Sequence, residues 1–247
     1  FGLEKEPSKI RLQEVTEQIA QLQKLLYAEG QRSILIVLQG LDTSGKDGTT
    51  RAALGPVNPQ GVRVWSFKRP TEEELSRDFL WRIHQHTPAK GMINVFNRSH
   101  YEDVLVPPVE GWIDKKQTAR RYEQINAFES LLSDSGTTVL KFYLHISKEQ
   151  QKERLLARLD EPAKNWKFEA GDLATRNKFD DYLKAYENLI EATSTPHAPW
   201  HVVPSDRKWL RNLTVAETLL HTLEKMSPKP PKANIDIAAM RVAVEAS

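Results

Sequence analysis

The chain contains no cysteine. That absence excludes disulfides, thiolate nucleophiles and cysteine-ligated zinc together, and a reducing cytoplasm fits such a chain. Long apolar runs are missing too. No stretch approaches the roughly 18 to 20 residues of a membrane span, so no membrane partner is expected. Nor is there an excess of charge: Lys and Arg total 35 against 33 Asp and Glu, a formal net charge of +2. That balance argues against a protein that coats nucleic acid through its overall field, and any polyanion site must come from local clustering. What is present is 247 residues, 39% hydrophobic and 28% charged, enough for one sizeable core in one large domain. The first residue is Phe1 rather than methionine, which leaves room for residues ahead of it, a removed signal included.

Apolar residues at Ile10, Val15, Ile19, Leu22 and Leu26 keep helical spacing across about the first 28 residues, predicting an amphipathic helix docked on the main body. Gly30 ends it. SILIVLQ (33–39) is short, branched and free of polar alternation, as a buried strand should be. Further strands are expected at 61–67, 92–96, 137–146 and 199–204, and helices over 71–86, 115–133, 148–159, 175–193 and 208–225. This alternation predicts an α/β fold, a parallel five-stranded sheet flanked by helices. Its ligands should bind at the carboxyl ends of the strands. After Met226 the proline-rich SPKPPKANID begins a linker or extended tail. The expected divisions are 1–31 for the amino-terminal helix, 32–227 for the main domain with a lid at about 154–178, and 228–247 for the tail.

In LQGLDTSGKDGTT (38–50), Gly40, Gly45 and Lys46 fit GxxxxGK between a strand and a helix. Glycines let backbone amides wrap phosphate oxygens, the helix start adds a positive dipole end, and lysine adds a mobile charge. Thr43, Ser44 and Gly48 complete the phosphate-contact candidates. The residue after Lys46 is Asp47, where such loops usually have a hydroxyl ligand for magnesium. A carboxylate beside phosphate is repelled unless a cation intervenes, so Asp42 is a candidate magnesium ligand. Asp47 also suits the first helical turn, where the dipole favours an acid. The competing reading is a glycine-rich turn without a ligand.

The strand at 92–96 leads into NRSHYEDV (97–104). Asn97 stands where a strand-end acid is usual, Arg98 can grip phosphate bidentately, and Glu102 and Asp103 can hold a metal, a hydrated metal or an acceptor group. The competing reading is a solvated loop of surface ion pairs. His100 permits phosphohistidine chemistry, but nothing near it in sequence supports that. His84 and His86 cannot share a helical face, which argues against zinc.

Glu74, Asp78 and Arg82 recur every four residues on the expected helix 71–86, with Phe79 and Trp81 as packing residues. Lys68 and Arg69 follow a strand and are phosphate candidates. Arg154 and Arg158 share a helical face, and Lys164, Lys167 and Arg176 follow. Bases on a lid suit phosphoryl transfer, which is mostly positioning and charge neutralisation. The alternative is a solvated helix paired with Glu153, Asp160, Glu161 and Asp172.

In order along 32–212 stand GLDTSGKDG, SFKRPTEEELSRDFLWR, FNRSHYEDVL, RLDEPAKNWKF, GDL followed by FDDY, and APWHVVPSDRKWLRN. Together they resemble the polyphosphate kinase 2 family. The resemblance implies a thymidylate-kinase-like P-loop kinase fold with a helical lid. It also implies magnesium-dependent phosphoryl transfer between inorganic polyphosphate and AMP, ADP or ATP, with manganese as an alternative ion. In that family the phosphate loop holds the nucleotide's phosphates, while a basic channel and lid hold polyphosphate. The family's loop has the form GxDxxGKxG, so Asp42 belongs to the pattern and the missing hydroxyl is normal.

Carried onto this chain, the resemblance gives Asp42, Lys46, Arg98, Glu102, Arg154 and Arg158 catalytic roles, with Asp42 and Glu102 on the metal. The nucleotide falls to the loop residues, Asp47 included, with Asp78, Arg82, Asn97 and Asp103. Polyphosphate falls to Lys46, Lys68, Arg98, Arg154, Arg158, Lys164, Lys167 and Arg176. Members restricted to one acceptor class commonly carry an acid at the position of Asn97 and an asparagine at that of Glu102. The arrangement here resembles the subgroup accepting both AMP and ADP. Dimers or tetramers are common in the family. Two rival readings are an ordinary ATP-dependent P-loop kinase and a binder of polyanions without turnover.

Overall fold

Ser33–Gln39 forms the central strand β1, with every residue buried. The lack of polar alternation follows from cover on both faces. The computed structural model describes residues 4–247, and residues 1–3 of the expected amino-terminal segment lie outside the described residues. In chain order the elements are α1 (Lys5–Glu29), β1, α2 (Lys46–Leu54), β2 (Val62–Ser66), α3 (Glu72–Leu75), α4 (Trp81–His84), β3 (Ile93–Asn97) and α5 (Val106–Val109). Then come α6 (Lys115–Asp134), β4 (Thr137–His145), α7 (Lys148–Asp160), α8 (Ala170–Asn177), α9 (Phe179–Thr193), β5 (Trp200–Pro204), α10 (Lys208–Met226) and α11 (Ile237–Glu245). The strands form one sheet, ordered β2-β3-β1-β4-β5 and parallel throughout. The expected α/β architecture is the observed one.

Period-two alternation along β1 divides the core between the faces. Leu35 and Val37 join Ile125 and Phe128 of α6 and Leu189 of α9. Ile34, Ile36 and Leu38 join Val15 and Ile19 of α1 and Leu219 of α10. In register, Leu38 lies beside both Asn97 and Phe142. The carboxyl ends of β1, β3 and β4 therefore emerge together, which brings the glycine loop beside the segment after β3.

Several expectations need correction. Ile10 is 64% exposed, because five residues before Val15 is about 140° round a helix; Leu12 packs against the core instead. The helix expected over 71–86 is two short pieces. Thr71 and Glu74 close a capping box on α3, but Asp78 Oδ1 accepts the Leu80 N–H. That local turn competes with continued helix, so Glu74, Asp78 and Arg82 do not share one helical face. The expected helix 175–193 is α8 and α9, broken at Lys178 with φ −104° and ψ 25°. The tail is not linker throughout. Asp236 caps α11 by accepting the Ala239 N–H, while Ile237, Met240, Val242 and Val244 are exposed. Among the described residues no helix is long and apolar enough to cross a membrane.

Candidate active site

The loop from Gly40 to α2 needs glycine at defined points. Gly40 has φ +152° and a Cβ there would meet the Leu144 carbonyl at 2.7 Å. Gly45 has φ +103° and a Cβ would sit 1.8 Å from Arg211 Nη1. Thr43 takes φ 65° and Arg98 φ 64°, left-handed conformations costly for these residues. Arg98 lines the cleft beside the loop. Lys46 Nζ donates to the carbonyls of Gly40 at 2.6 Å and Leu41 at 3.4 Å. Burial, and then Arg98, lowers its pKa. The hydroxyls of Thr43 and Ser44 are buried without a hydrogen-bond partner, so the loop holds donors that a bound anion would satisfy.

Across the cleft, the Arg98 N–H donates to the Leu38 carbonyl at 3.2 Å, and its Nη2 to Asp42 Oδ1 at 3.0 Å. Asp42, Arg98 and Glu102 line a cavity of about 110 Å³ with Gly40, Tyr182 and Tyr186. Burial raises the Glu102 pKa against the pull of Arg98 and Lys46, and the Asp42 charge raises it further. Burial opposes the charge on Arg98, yet Glu102 and Asp42 hold it above its ordinary value. With the Gln39 amide nitrogen turned towards Glu102, it donates to Oε1 at 2.9 Å. Asn97 Nδ2 donates to Asp47 Oδ1, so this amide and acid hold each other.

Two facing carboxylates suit magnesium, which typically uses one or two carboxylates and completes its shell with substrate phosphates and water. Among the described residues no group of three or more His, Asp or Glu side chains is arranged to cage a metal. The pair Asp42 and Glu102 fits an ion that arrives with its phosphates, and their mutual repulsion would be relieved by it.

Arg82, with a side chain 6% exposed, lies 3.7 Å from Glu74 and 3.8 Å from Asp103. Its Nη1 also donates to the Lys68 carbonyl at 2.9 Å. Burial pushes Asp103 up to about 6, against Arg82 and Arg121. Asp78 is exposed and serves the turn before α4; the Lys68 and Arg69 side chains are exposed.

The lid bases divide. Arg154 donates to the carbonyls of Thr43 at 2.8 Å, Ser205 at 2.7 Å and Asp206 at 2.8 Å, bridging α7 to the glycine loop. Arg158 instead pairs with Asp172 at 3.2 Å. Arg176 donates to the Lys148 carbonyl at 2.8 Å and to Gln151. Lys164 pairs with Glu161, and Lys167 lies 5.1 Å from the Trp166 ring centre. Arg158 and Lys164 thus pair in this conformation with Asp172 and Glu161, two of the acids of the alternative weighed from sequence, while Arg176 braces α8 against α7.

Two features escaped sequence reasoning. Arg211 on α10 is buried against the glycine loop and donates to the Ser44 carbonyl at 2.8 Å; it sits in a segment that the family blocks include, but no local spacing marks it. Behind the 97–104 segment, Lys141 of β4 and Glu129 of α6 form an ion pair at 2.6 Å, both fully buried. Lys141 also donates to the Tyr101 hydroxyl at 2.8 Å and the Thr193 carbonyl at 2.7 Å. His100 Nε2 meets Glu129 at 3.2 Å. His100 is therefore an anchor turned into the core, which removes the phosphohistidine reading. A lysine inside the apolar run of β4 was the available signal.

A glycine loop with its lysine at the end of β1, a polar segment at the end of β3 and an arginine-bearing lid define a P-loop kinase-like α/β protein. The family model for Polyphosphate kinase 2 (PPK2) matches residues 2–231, and the chain belongs to that family. It is 49% identical over 94% of its length to an AMP/ADP-polyphosphate phosphotransferase of Meiothermus ruber, covering 86% of that protein. It is 42% identical over 87% of its length to an ADP-polyphosphate phosphotransferase of Rhodopseudomonas palustris, covering 79% of it. The crystal structure of polyphosphate kinase 2 from Arthrobacter aurescens TC1 superposes with a TM-score of 0.97 at 47% identity, covering all of this chain and 89% of the other.

Proposed function

We propose that this chain transfers the terminal phosphoryl group of inorganic polyphosphate to AMP and ADP, forming ADP and ATP. The observation that carries this is the meeting of Asp42, Arg98 and Glu102 at one cleft, with Lys46 bonded to the carbonyls of Gly40 and Leu41 that line it and Arg154 bonded to the same loop at Thr43. The names of the Meiothermus and Rhodopseudomonas relatives support the substrates, and the first supports acceptance of both AMP and ADP.

A terminal phosphate oxygen of the nucleotide attacks the end phosphorus of polyphosphate in line. One P–O bond forms to the nucleotide, and the bond to the bridging oxygen breaks. The electron pair leaves with the shortened polyphosphate. Nucleotide phosphates are ionised at neutral pH, so no strong general base is needed. Lys46, Arg98 and Arg154 neutralise charge on the equatorial oxygens, and Arg158 joins them once it leaves Asp172. Thr43, Ser44 and the loop amides orient the phosphates. Asp42 and Glu102 would hold magnesium, or manganese in its place, which when bound screens the phosphates and polarises the transferred group. Arg82, Asp103 and Asn97 line the nucleotide side, and Lys68, Lys164, Lys167 and Arg176 supply charge towards the polyphosphate.

The exposed apolar face of α11 supports assembly into a homo-oligomer, and the use of free nucleotides supports a cytoplasmic setting. The test is chromatography of nucleotides after mixing the protein with magnesium, long-chain polyphosphate and either AMP or ADP, without ATP. Product from both acceptors is expected. ATP from ADP alone would reject the broad acceptor range. No product from folded protein in either reaction would reject polyphosphate as donor.

A further inference from the structure

Along α9 the buried residues are Phe179, Tyr182, Tyr186, Leu189 and Thr193, and steps of three and four place them on one face. One end of that face belongs to the core: Leu189 is fully buried, and the Thr193 carbonyl accepts from Lys141. Towards the other end, Tyr182 and Tyr186 line the cavity that holds Asp42, Arg98 and Glu102. Tyr186 is 3% exposed. Its ring stacks on that of Tyr143 in β4, with centres 4.2 Å apart and planes inclined by 25°, so packing fixes where its oxygen lies.

The buried tyrosines use their hydroxyls differently. That of Tyr101 donates to Glu129 at 2.8 Å, and that of Tyr143 meets His145 Nδ1 at 3.2 Å. Burial, and then Glu110, raises Tyr182 to about 12. Among the described residues no group hydrogen-bonds the Tyr186 hydroxyl, although the charges of Glu102, Asp42 and Arg98 act on it across the cleft. Burial, then Glu102, Tyr143 and Asp42, raises its pKa well above the ordinary value, and the phenol stays a donor. A phenylalanine would fill the same space and keep the stack. The hydroxyl therefore adds nothing to the packing, and it costs desolvation unless something in the cleft accepts from it. With Asp42 and Glu102 turned to a cation, the acceptor left to it is an anionic oxygen of the substrate.

We propose that Tyr186 is a further catalytic residue, whose hydroxyl donates a hydrogen bond to a non-bridging oxygen of the phosphoryl group in transfer. The inference rests on the functional reading above and adds a neutral donor to its cations. The proton stays on the phenol throughout. A donor held in place by a ring stack needs no reorganisation as charge builds on the transferred group.

The test is Tyr186→Phe, which removes one oxygen and should keep the melting temperature within a few degrees. With ADP and long-chain polyphosphate, kcat should fall about tenfold or more while the KM for each substrate stays within about twofold, because the bond strengthens in the transition state. Tyrosine isotope-labelled at Cζ gives an NMR readout without turnover. The signal missing from the variant belongs to Tyr186, and in wild type it should move when tripolyphosphate and magnesium are added without nucleotide. A signal that moves in wild-type protein making no product would reject the transfer reaction and keep the phosphate contact. A kcat within about twofold of wild type, a loss confined to KM, or a signal unmoved by tripolyphosphate would overturn the role of Tyr186.

Discussion

The side-chain amide of Asn97, at the end of β3, donates a hydrogen bond to the carboxylate of Asp47 in the first turn of α2. This pairing accounts for two departures from the common phosphate-loop pattern at once. The acid after Lys46 takes the place of a hydroxyl, and the amide takes the place of a strand-end acid. Each makes sense beside the other: a carboxylate at both positions would set like charges in contact, and here one of them is neutral.

Replacing Asn97→Asp should therefore lower kcat/KM about tenfold at pH 8. The reciprocal pair Asn97→Asp/Asp47→Asn should restore most of the loss, giving a coupling of about 1–2 kcal/mol in a double-mutant cycle. Additive effects would show that the two side chains act separately.

Among the described residues, Lys46 Nζ bonds only to carbonyls of its own loop, those of Gly40 and Leu41. Lys46→Ala should leave the melting temperature within a few degrees and cut turnover by at least about a hundredfold, the scale of losing a key charge on a transferred group. Near-normal turnover would remove Lys46 from the chemistry.

Gly45 and Gly48 stand three residues apart and should respond differently to the same methyl group. At Gly45 the methyl meets Arg211 at 1.8 Å on a backbone with φ +103°, whereas at Gly48 its nearest neighbour, Arg211 Nη2, is 3.3 Å away. Gly45→Ala should cost more than about 2 kcal/mol in urea unfolding, and Gly48→Ala less than about 1 kcal/mol. Equal costs would contradict the packing of Arg211 on the loop.

Asp103 is an acid pushed up to about 6 by burial. Its folded pKa exceeds the unfolded value, so the folded state binds the extra proton and gains stability as pH falls through about 6. Between pH 8 and pH 5 this contribution is about 1 kcal/mol in favour of folding. Asp103→Asn should lack it. The check is the difference between the urea midpoints of wild type and variant at both pH values; a difference that stays constant would disprove the shift.

The sequence by itself determined the sheet, the loop and the family. A short, branched apolar run such as 33–39, bounded by turn residues, fits a strand covered on both faces, and the spacing of Gly40, Gly45 and Lys46 is a local property of one turn. It also marked Asp42, Arg98 and Glu102, because ligands gather where strands end. Tertiary structure decided what depends on distant partners. The Asn97–Asp47 bond joins positions 50 residues apart, and Arg211 reaches a carbonyl 167 residues away. The inward turn of His100 needs Glu129 and Lys141 from two other elements. The break after α3 depends on Asp78 choosing a local turn over helix, two options whose free energies are close. Periodicity fixes which face of an element is apolar, but contacts between elements fix which charged groups end as ligands and which as braces.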